Sequence, residues 1–543
     1  MPAAFENPLD IVRRLTEVGA ALSAEKDNNR LMELILESAR EFTNADGGTL
    51  YSRTEDDHLR FEIMLTHSLG IRLGGTSGAD IELPPVPLYR ADGGAHDETV
   101  AARAATAVET VNIADAYTNE DFDFSGTRAF DARTGYRSQS FLAVPMCNHD
   151  DEVIGVLQLI NAVMPGTEQV VAFTEQDQQL VESLASQAAI ALSNKRLIDG
   201  QRVLFEAFIE LMAAAIDDKS PYTGGHCRRV PELTMLLAQA ASDTKEGPLA
   251  DFTMDDDDRY ELKIAGWLHD CGKVTTPEYV VDKATKLETI YDRVHEVETR
   301  FELLKRDAEI AQLREQMALH GCPEAPDHNA QLHEKCAELD DECEFLRRAN
   351  VGGEFMSEDD QERVREIGAR TLRDARGDVR PLLTDNEVYN LTIEKGTLTK
   401  EEREVINHHI VATIKMLESL PYPPYLMRVP EYAGGHHERM DGKGYPRGLT
   451  REQMSVQARV MGIADIFEAL TAADRPYKKG MPLSQALSIL GRMKEDQHID
   501  GDLFDVFIRE KVYLRYGELF LDSDQLDAVD LESIPGYKNH QVA

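Results

Sequence analysis

Residues 436–446 read HHERMDGKGYP, with two adjacent histidines, two carboxylates and a glycine-rich turn in one short stretch. Neutral imidazoles and carboxylates are the side chains that bind iron, manganese and zinc in proteins. The same residue types recur in four further blocks: YTGGHCRRV (222–230), GWLHDCGKVTTPE (266–278), EEREVINHHIVATIKML (401–417) and RVMGIADIFEALTAADRPYKKG (459–480). Together the five blocks predict a metal site built from several helices.

No single block carries this prediction. His-Asp pairs occur three times, and only the pair at 269–270 follows an apolar run, LKIAGWL, that would carry it into the protein interior. A histidine and an aspartate placed there need a ligand or a partner. Taken alone, the pair at 408–409 fits a surface position and His226 fits a structural role. The five blocks in this order favour metal ligands instead.

Such a set of ligands suits phosphoester hydrolysis. One carboxylate can bridge two metal ions about 3.5–4 Å apart, and the pair stabilises both the attacking and the leaving oxygen of an in-line displacement. That chemistry needs about six to eight histidine and aspartate ligands from several helices. The five blocks offer such a set.

The motifs resemble those of the HD-GYP phosphodiesterases. HHERMDGKGYP is similar to the signature of that family, HDCGK to its HD core, and ADIFEALTAADRPYK to the segment that closes the site. The resemblance covers about residues 203–510, interrupted by a charged stretch at 288–395. It implies an all-α, HD-type metal-dependent phosphohydrolase domain at 217–520 that hydrolyses cyclic-di-GMP to linear pGpG, with or without a second cut to GMP.

The resemblance also implies two transition-metal ions, iron or manganese. The first would be held by His226, His269, Asp270 and Asp465, with Asp270 bridging, and the second completed by His409, His436 and His437. His409 is preferred to His408 because the family places a leucine eight residues after its ligand, and Leu417 fits. Tyr222 stands where some members carry a glutamate for a third metal, which favours two ions.

The residues implied for catalysis are Asp270 and Lys273, where Lys273 would contact a phosphate oxygen or the nucleophile. Those implied for substrate binding are Gly442, Gly444, Tyr445, Arg475 and Lys478. Arg475 and Lys478 would lie on one face if their segment is helical, and could grip one phosphate. The two glycines would let the backbone approach the ligand, or simply form a tight turn.

Two positions depart from the family pattern. Glu468 replaces the usual aspartate of the closing segment, and Thr413 replaces a glycine four residues after His409. Neither is a proposed ligand, so we still expect activity.

The pattern of residues 8–176 predicts an α+β domain of two helices, mixed strands and a final helix. TGYRSQSFLAVPM (134–146), VIGVLQLINA (153–162) and FTEQD (173–177) resemble a GAF domain of the cyclic-nucleotide-binding branch. Its motif keeps Asn161, Phe173 and Asp177 but has Ala162 for lysine and Gln178 for glutamate. A cyclic-nucleotide ligand and an empty GAF domain that serves only dimerisation remain alternatives.

A linker helix is predicted at 177–216. Ile190, Leu197, Leu204 and Leu211 stand seven residues apart, a spacing typical of a helix paired with its twin in a parallel homodimer. The alternative is an amphipathic helix packed on its own domain.

The charged stretch at 288–395 is predicted to form a helical hairpin or pair of helices. Its charged residues form either a surface for a partner or a face exposed to solvent. Residues 521–543 form a C-terminal tail.

The composition narrows the function further. The chain has 543 residues, enough for two or three domains, and a formal charge of −40 that argues against a general nucleic-acid binder. It has no apolar run of about 18 residues, no apolar stretch typical of a signal peptide, and six cysteines without paired spacing. These features favour a cytoplasmic protein that does not span a membrane.

Two rival functions remain open. The substrate-binding residues recognise phosphate and do not select a base, so another cyclic dinucleotide is an alternative substrate. A module that only senses cyclic-di-GMP is the second rival. A complete set of metal ligands argues against it, because a receptor does not need them.

Overall fold

A computed structural model describes residues 8–219, 225–320, 330–352, 355–374, 376–473 and 480–538. The chain divides into two compact units, with the boundary between Leu204 and Phe205. None of the described helices is long and apolar enough to cross a lipid bilayer.

The first unit is built on one antiparallel sheet. Its strands are β1 (Ala45–Arg53), β2 (His58–Thr66), β3 (Ile71–Gly74), β4 (Val86–Pro87), β5 (Val111–Ile113), β6 (Phe141–Cys147), β7 (Val153–Val163) and β8 (Val170–Val171). The strand order is β3-β2-β1-β7-β6-β5, with β4 beside β2 and β8 beside β7. The long strands β1 and β7 therefore form the centre of the sheet.

Helices cover both faces of this sheet. They are α1 (Pro8–Ala24), α2 (Asn28–Thr43), α3 (Val100–Ala107), α4 (Ser125–Thr134) and α5 (Glu175–Asp218). Successive side chains of a strand point to opposite faces. Leu50 accordingly packs into the core formed with α1, α2 and α5, whereas Tyr51 packs into the core formed with α3. The result is the α+β domain that the sequence predicts.

Helix α5 is the long helix that follows this sheet, and the predicted span 177–216 lies within it. Val181 and Leu184 near its start are buried in the first unit, and Ile209 and Ile216 near its end are buried in the second. The heptad-spaced residues are Ile190, Leu197, Leu204 and Leu211, with 55 %, 57 %, 70 % and 65 % of their surface exposed. Within the described residues, this apolar stripe faces solvent.

The second unit is mainly helical. Before the charged stretch it contains α6 (His226–Asp243), α7 (Asp256–Leu268) and α8 (Glu278–Val281). The next helices are α9 (Val294–His320), α10 (Ala330–Asn350), α11 (Glu358–Gly368) and α12 (Asp385–Leu391). The last six are α13 (Lys400–Glu418), α14 (Val429–Gly434), α15 (Val456–Thr471), α16 (Leu483–Glu495), α17 (Gly501–Arg509) and α18 (Val512–Phe520). Helices α6, α7 and α14–α18 share one hydrophobic core.

The 288–395 insertion has a core of its own, centred on Phe301, Leu346 and Leu382. It contains the predicted helical pair as α9 and α10. It also contains two shorter helices and an antiparallel hairpin of β9 (Thr371–Arg373) and β10 (Val379–Pro381). The hairpin was not predicted, because three-residue strands are too short to show an alternating pattern.

Candidate metal centre

Five separate segments converge on one buried cluster. His226 begins α6, His269 and Asp270 follow α7, His409 lies inside α13, His436 and His437 follow α14, and Asp465 lies inside α15. The cluster forms two groups that could each hold an ion: His226, His269, Asp270 and Asp465, and Asp270, His409, His436 and His437. Within each group the ligand atoms lie within 4.8 Å of one another. These are the two sets of residues that the sequence analysis names.

Asp270 belongs to both groups, and its two oxygens face different histidines. Oδ2 lies 3.2 Å from Nε2 of His226 and 3.2 Å from Nε2 of His269. Oδ1 lies 3.2 Å from Nε2 of His409. The carboxylate therefore stands between the two groups, as a bridging ligand must.

The adjacent histidines at 408 and 409 lie in different surroundings, and the family resemblance prefers His409 as the ligand. His409 is buried and its Nε2 faces Asp270, whereas His408 is exposed on the outer side of α13. The structure thus brings all seven proposed ligands together and leaves His408 out.

Hydrogen bonds to the backbone fix the orientation of three imidazoles. Nδ1 of His269, His409 and His436 lies 2.6 Å from the carbonyl oxygen of Gly266, Ile406 and Ala433, respectively. A ring nitrogen this close to a carbonyl oxygen carries the proton and donates it. The Nε2 atom of each ring is then left with a lone pair directed into the cluster, which is the form that binds a metal.

The cluster fits a bound cation. Nε2 of His226 lies 3.3 Å from Nε2 of His269, where two lone pairs would repel unless a proton or a metal ion lies between them. Oδ1 of Asp270 and Nε2 of His436 are buried without a hydrogen-bond partner. An unsatisfied buried polar atom costs about 1–3 kcal/mol. Transition-metal ions would satisfy these atoms, and the histidine and aspartate donors suit iron, manganese or zinc.

The electrostatics of the two groups differ. Burial lowers the pKa of His436 well below its usual value and the pKa of His437 to about 4, so both rings are neutral at pH 7. Burial would also lower the pKa of His226, but Glu468, Asp270 and Asp465 raise that pKa well above its usual value. The first group thus attracts positive charge at His226, where a metal ion can replace the proton.

Glu468 contacts His226 of the first group through the Nδ1 atom of the ring. This contact was not predicted from the sequence. The side chain of Glu468 is 1 % exposed, with Oε2 2.5 Å from Nδ1 of His226. Its other oxygen accepts a hydrogen bond from Nε of Arg229 at 2.8 Å. Carboxylates in this position orient a ligand histidine and raise its basicity. The available signal was the spacing, since Glu468 lies one helical turn after Asp465.

Gly272, in the HDCGK block, packs against α13. Its N–H donates to Oγ1 of Thr413 at 2.9 Å. A Cβ at this position would lie 2.0 Å from the carbonyl oxygen of His409. The missing side chain thus allows the close approach that sets the distance from Asp270 to His409. Thr413, where the family has glycine, supplies the hydroxyl that accepts this bond.

The HHERMDGKGYP turn is organised by Glu438. This buried carboxylate accepts hydrogen bonds from the N–H groups of Arg447 at 2.7 Å and Leu449 at 2.9 Å. Gly444 packs against the same residue, because a Cβ there would lie 2.5 Å from Cα of Glu438. Gly442 has a φ of 75°, which glycine adopts without strain. Both glycines therefore have a role within the turn itself.

Two other proposed site residues lie beside the cluster. The ring of Tyr445 stacks on His437, with centroids 4.8 Å apart, and burial raises the pKa of its hydroxyl to about 12. Nζ of Lys273 lies 2.6 Å from Oδ2 of Asp270. Arg475 and Lys478 lie outside the described residues, as does Tyr222.

In the first unit, the polar residues of the proposed nucleotide motif bind their own domain. Oδ1 of Asn161 accepts from the N–H of Gln139 at 2.7 Å, and its Nδ2 donates to the carbonyl of Arg137 at 2.8 Å. Gln178 donates to Glu182 at 2.9 Å. These contacts hold the segment before β6 and the start of α5.

Comparison with known protein families agrees with this architecture. A GAF domain model matches residues 27–192, and two HD domain models match residues 223–351 and 385–503. The GAF domain of the Acinetobacter phosphoenolpyruvate-protein phosphotransferase is 14 % identical over 35 % of this chain and 98 % of that one, with a TM-score of 0.26. The chain carries a GAF domain followed by an HD domain, which confirms the GAF and HD parts of the resemblance.

Several curated relatives match short parts of this chain. A 3′3′-cGAMP-specific phosphodiesterase 1 of Vibrio cholerae is 44 % identical over 79 residues, which is 14 % of this chain and 18 % of that protein. A cyclic di-GMP phosphodiesterase of Thermotoga maritima is 33 % identical over 131 residues, which is 22 % of this chain and 35 % of that protein. The chain thus spans between 18 % and 35 % of the length of these two relatives.

Proposed function

We propose that this GAF–HD chain is a two-metal phosphodiesterase of the HD-GYP type that hydrolyses cyclic-di-GMP to linear pGpG, with or without a second cut to GMP. The observation that carries the proposal is Asp270, whose two carboxylate oxygens face separate histidine groups. A bridged pair of ions is the arrangement that in-line phosphoester hydrolysis uses. The HD domain supports metal-dependent phosphohydrolysis, and iron or manganese is the proposed metal.

Different residues are proposed to bind the metal ions and to bind the substrate. His226, His269, Asp270, His409, His436, His437 and Asp465 would hold the ions. Two bound ions supply an activated water and stabilise negative charge on the reacting phosphate. Nζ of Lys273 lies 2.6 Å from Asp270, and we propose that it also contacts a phosphate oxygen of the substrate.

Substrate binding needs local positive charge, because the chain as a whole carries −40. Lys273, Arg475 and Lys478 are proposed to supply it beside the ions. Tyr445 offers a flat ring next to His437 on which a base or ribose can pack. Gly442 and Gly444 shape the turn that presents this ring.

The second candidate substrate is 3′3′-cGAMP. The observation that favours it is the name of the Vibrio cholerae relative. Both substrates have the same phosphodiester ring, and none of the proposed site residues distinguishes guanine from adenine. A module that binds cyclic-di-GMP without hydrolysing it is the other rival.

One experiment separates these functions. Purified protein is reconstituted anaerobically with Fe²⁺ or Mn²⁺, its metal content is measured, and turnover and binding are followed with each dinucleotide. We expect about two ions per chain and linear product from cyclic-di-GMP. His409→Ala should lose one ion and activity, and His408→Ala, its exposed neighbour, is the matched control. Fewer than one ion per chain, or binding without turnover, contradicts the proposal.

Control by the first unit is part of the proposal. The exposed stripe on α5 is proposed to pair with the same stripe of a second copy in a parallel homodimer, since an apolar heptad face favours a coiled coil.

The domain limits are proposed as 8–176 for the GAF domain, 177–216 for the linker and 217–520 for the catalytic domain, in a cytoplasmic protein. A cyclic nucleotide is the proposed GAF ligand, testable by calorimetry with cyclic AMP and cyclic GMP.

A further inference from the structure

The end of α5 reaches the start of α6 through Asp217. Oδ2 of this buried carboxylate accepts hydrogen bonds from the N–H of Gly225 at 3.0 Å and the N–H of Cys227 at 3.2 Å. These amides belong to the residues on either side of His226. Asp217 therefore fixes the backbone on both sides of a ligand of the first metal group.

Lys219, the residue that follows the end of α5, contacts a second segment. Its Nζ donates to the carbonyl oxygens of Val274 at 2.5 Å, Thr276 at 2.7 Å and Lys273 at 3.2 Å. An ammonium has three protons, so these three bonds use its full capacity. The acceptors lie at the end of the short 3₁₀ helix Cys271–Thr275, which begins immediately after Asp270.

We propose that Asp217 and Lys219, at the end of α5, are positioning residues for the first metal group. Together they fix the segment that carries His226 relative to the segment that carries Asp270. The carboxylate binds backbone N–H groups beside His226, and the ammonium binds the backbone carbonyls of Lys273, Val274 and Thr276 in the segment that follows Asp270. Because the two residues are two positions apart, any rotation or shift of this part of α5 displaces both ligand segments together. This inference rests on the proposed metal site and names the contacts through which α5 would control it.

The contacts differ from those of an ordinary surface ion pair. The contacts given above join neither residue to a ligand side chain, so we assign both a positioning role and not a catalytic one. Each instead supplies hydrogen bonds to backbone groups, and charged partners make such bonds short and strong. Loss of either partner leaves these amides or carbonyls to find another partner, and the ligand segment moves with them.

The test compares two variants with matched controls. Lys219→Met removes the ammonium, and Asp217→Ala removes the carboxylate. Lys195→Met is the control on the same helix, because Nζ of Lys195 is 3.0 Å from the exposed Asp199. Asp218→Ala is the control for the adjacent aspartate, which is exposed. Lys219→Arg and Asp217→Asn are the conservative variants, since each keeps a donor or an acceptor in place.

The primary readout is the affinity for Mn²⁺, measured by competition with a chelating dye, together with circular dichroism and Tm. We expect Lys219→Met and Asp217→Ala to weaken Mn²⁺ binding by about 10–100-fold, the usual effect of losing a group that orients a ligand. The controls should stay within about twofold, and the conservative variants should recover most of the affinity, each with a native spectrum.

Unchanged Mn²⁺ affinity in both variants overturns the inference. So does a lowered Tm without any loss of affinity, because a purely structural role would produce that result. If either variant does not fold, the conservative variant at the same position decides by the same measurement. Because the readout is metal affinity, it stands even if the wild-type protein hydrolyses neither dinucleotide, which would refute only the proposed substrate.

Discussion

Gly272→Ala adds one methyl group at the closest contact in the metal centre. The new Cβ would lie 2.0 Å from the carbonyl oxygen of His409 and 2.5 Å from the backbone nitrogen of Thr413. Both atoms belong to the backbone of α13, which cannot turn aside as a flexible side chain can. The 3₁₀ helix and α13 must therefore move apart.

The size of that movement follows from the contact distances. A carbon atom stays about 3.5 Å from its non-bonded neighbours, so the separation must grow by more than about 1 Å. Asp270 is two residues from Gly272, and its Oδ1 is 3.2 Å from Nε2 of His409. Metal–ligand distances hold to within about 0.2 Å, so the second group should lose the shared ligand. Overpacking of this kind also costs about 1–3 kcal/mol of stability.

Metal content and turnover measure the outcome together. We expect Gly272→Ala to retain about one ion per chain, at the first group, and to hydrolyse cyclic-di-GMP about 100-fold more slowly, the loss that a 1 Å misplacement causes. Gly200→Ala is the matched control, because a Cβ there meets nothing within 4 Å and the site lies inside a helix. Wild-type metal content and turnover in Gly272→Ala would refute the reasoning.

Three further variants test the remaining roles. Asp270→Ala removes the carboxylate that both groups share, so hydrolysis should fall to background with a native circular dichroism spectrum; residual turnover above one per cent of wild type would exclude a bridging role. Arg475→Ala should raise KM with little change in kcat, since a guanidinium binds phosphate in the ground state and the transition state alike; an unchanged KM contradicts the assigned role. Replacing both Leu197 and Leu204 with lysine should dissociate the proposed dimer by placing like charges in its apolar seam; light scattering that shows an unchanged dimer mass would place the interface elsewhere.

The sequence indicates the residues of the buried cluster because their chemistry is visible in residue type. Histidines are few, 16 in 543 residues, and the family pattern separates His409 from its neighbour. The α+β class of the first unit follows from the order of helices and strands, and the resemblance of the motifs implies the GAF and HD domains. The sheet, the long helix and the mainly helical character of the second unit could therefore be predicted from the sequence, but not the short hairpin of β9 and β10.

The supporting contacts could not be predicted in the same way. Glu468 reaches His226 across 242 positions of the chain, and Gly272 reaches Thr413 across 141. Asp217 and Lys219 bind backbone N–H and carbonyl groups. Because nearly every residue type carries these groups, the residue types of the partners give no signal for such contacts. Contacts of this kind depend on how distant segments pack, which neither composition nor periodicity records.

These long separations have a consequence for how the protein is made. The seven proposed ligands run from His226 to Asp465, and the insertion with its separate core lies between Asp270 and His409. Contacts close in the chain form early, and distant ones wait for loops to close. The insertion can therefore fold on the ribosome while the metal site is still open. The second proposed group is complete once His437 has been synthesised, whereas the first also needs Asp465 of α15, so the two proposed ion sites would be completed in that order.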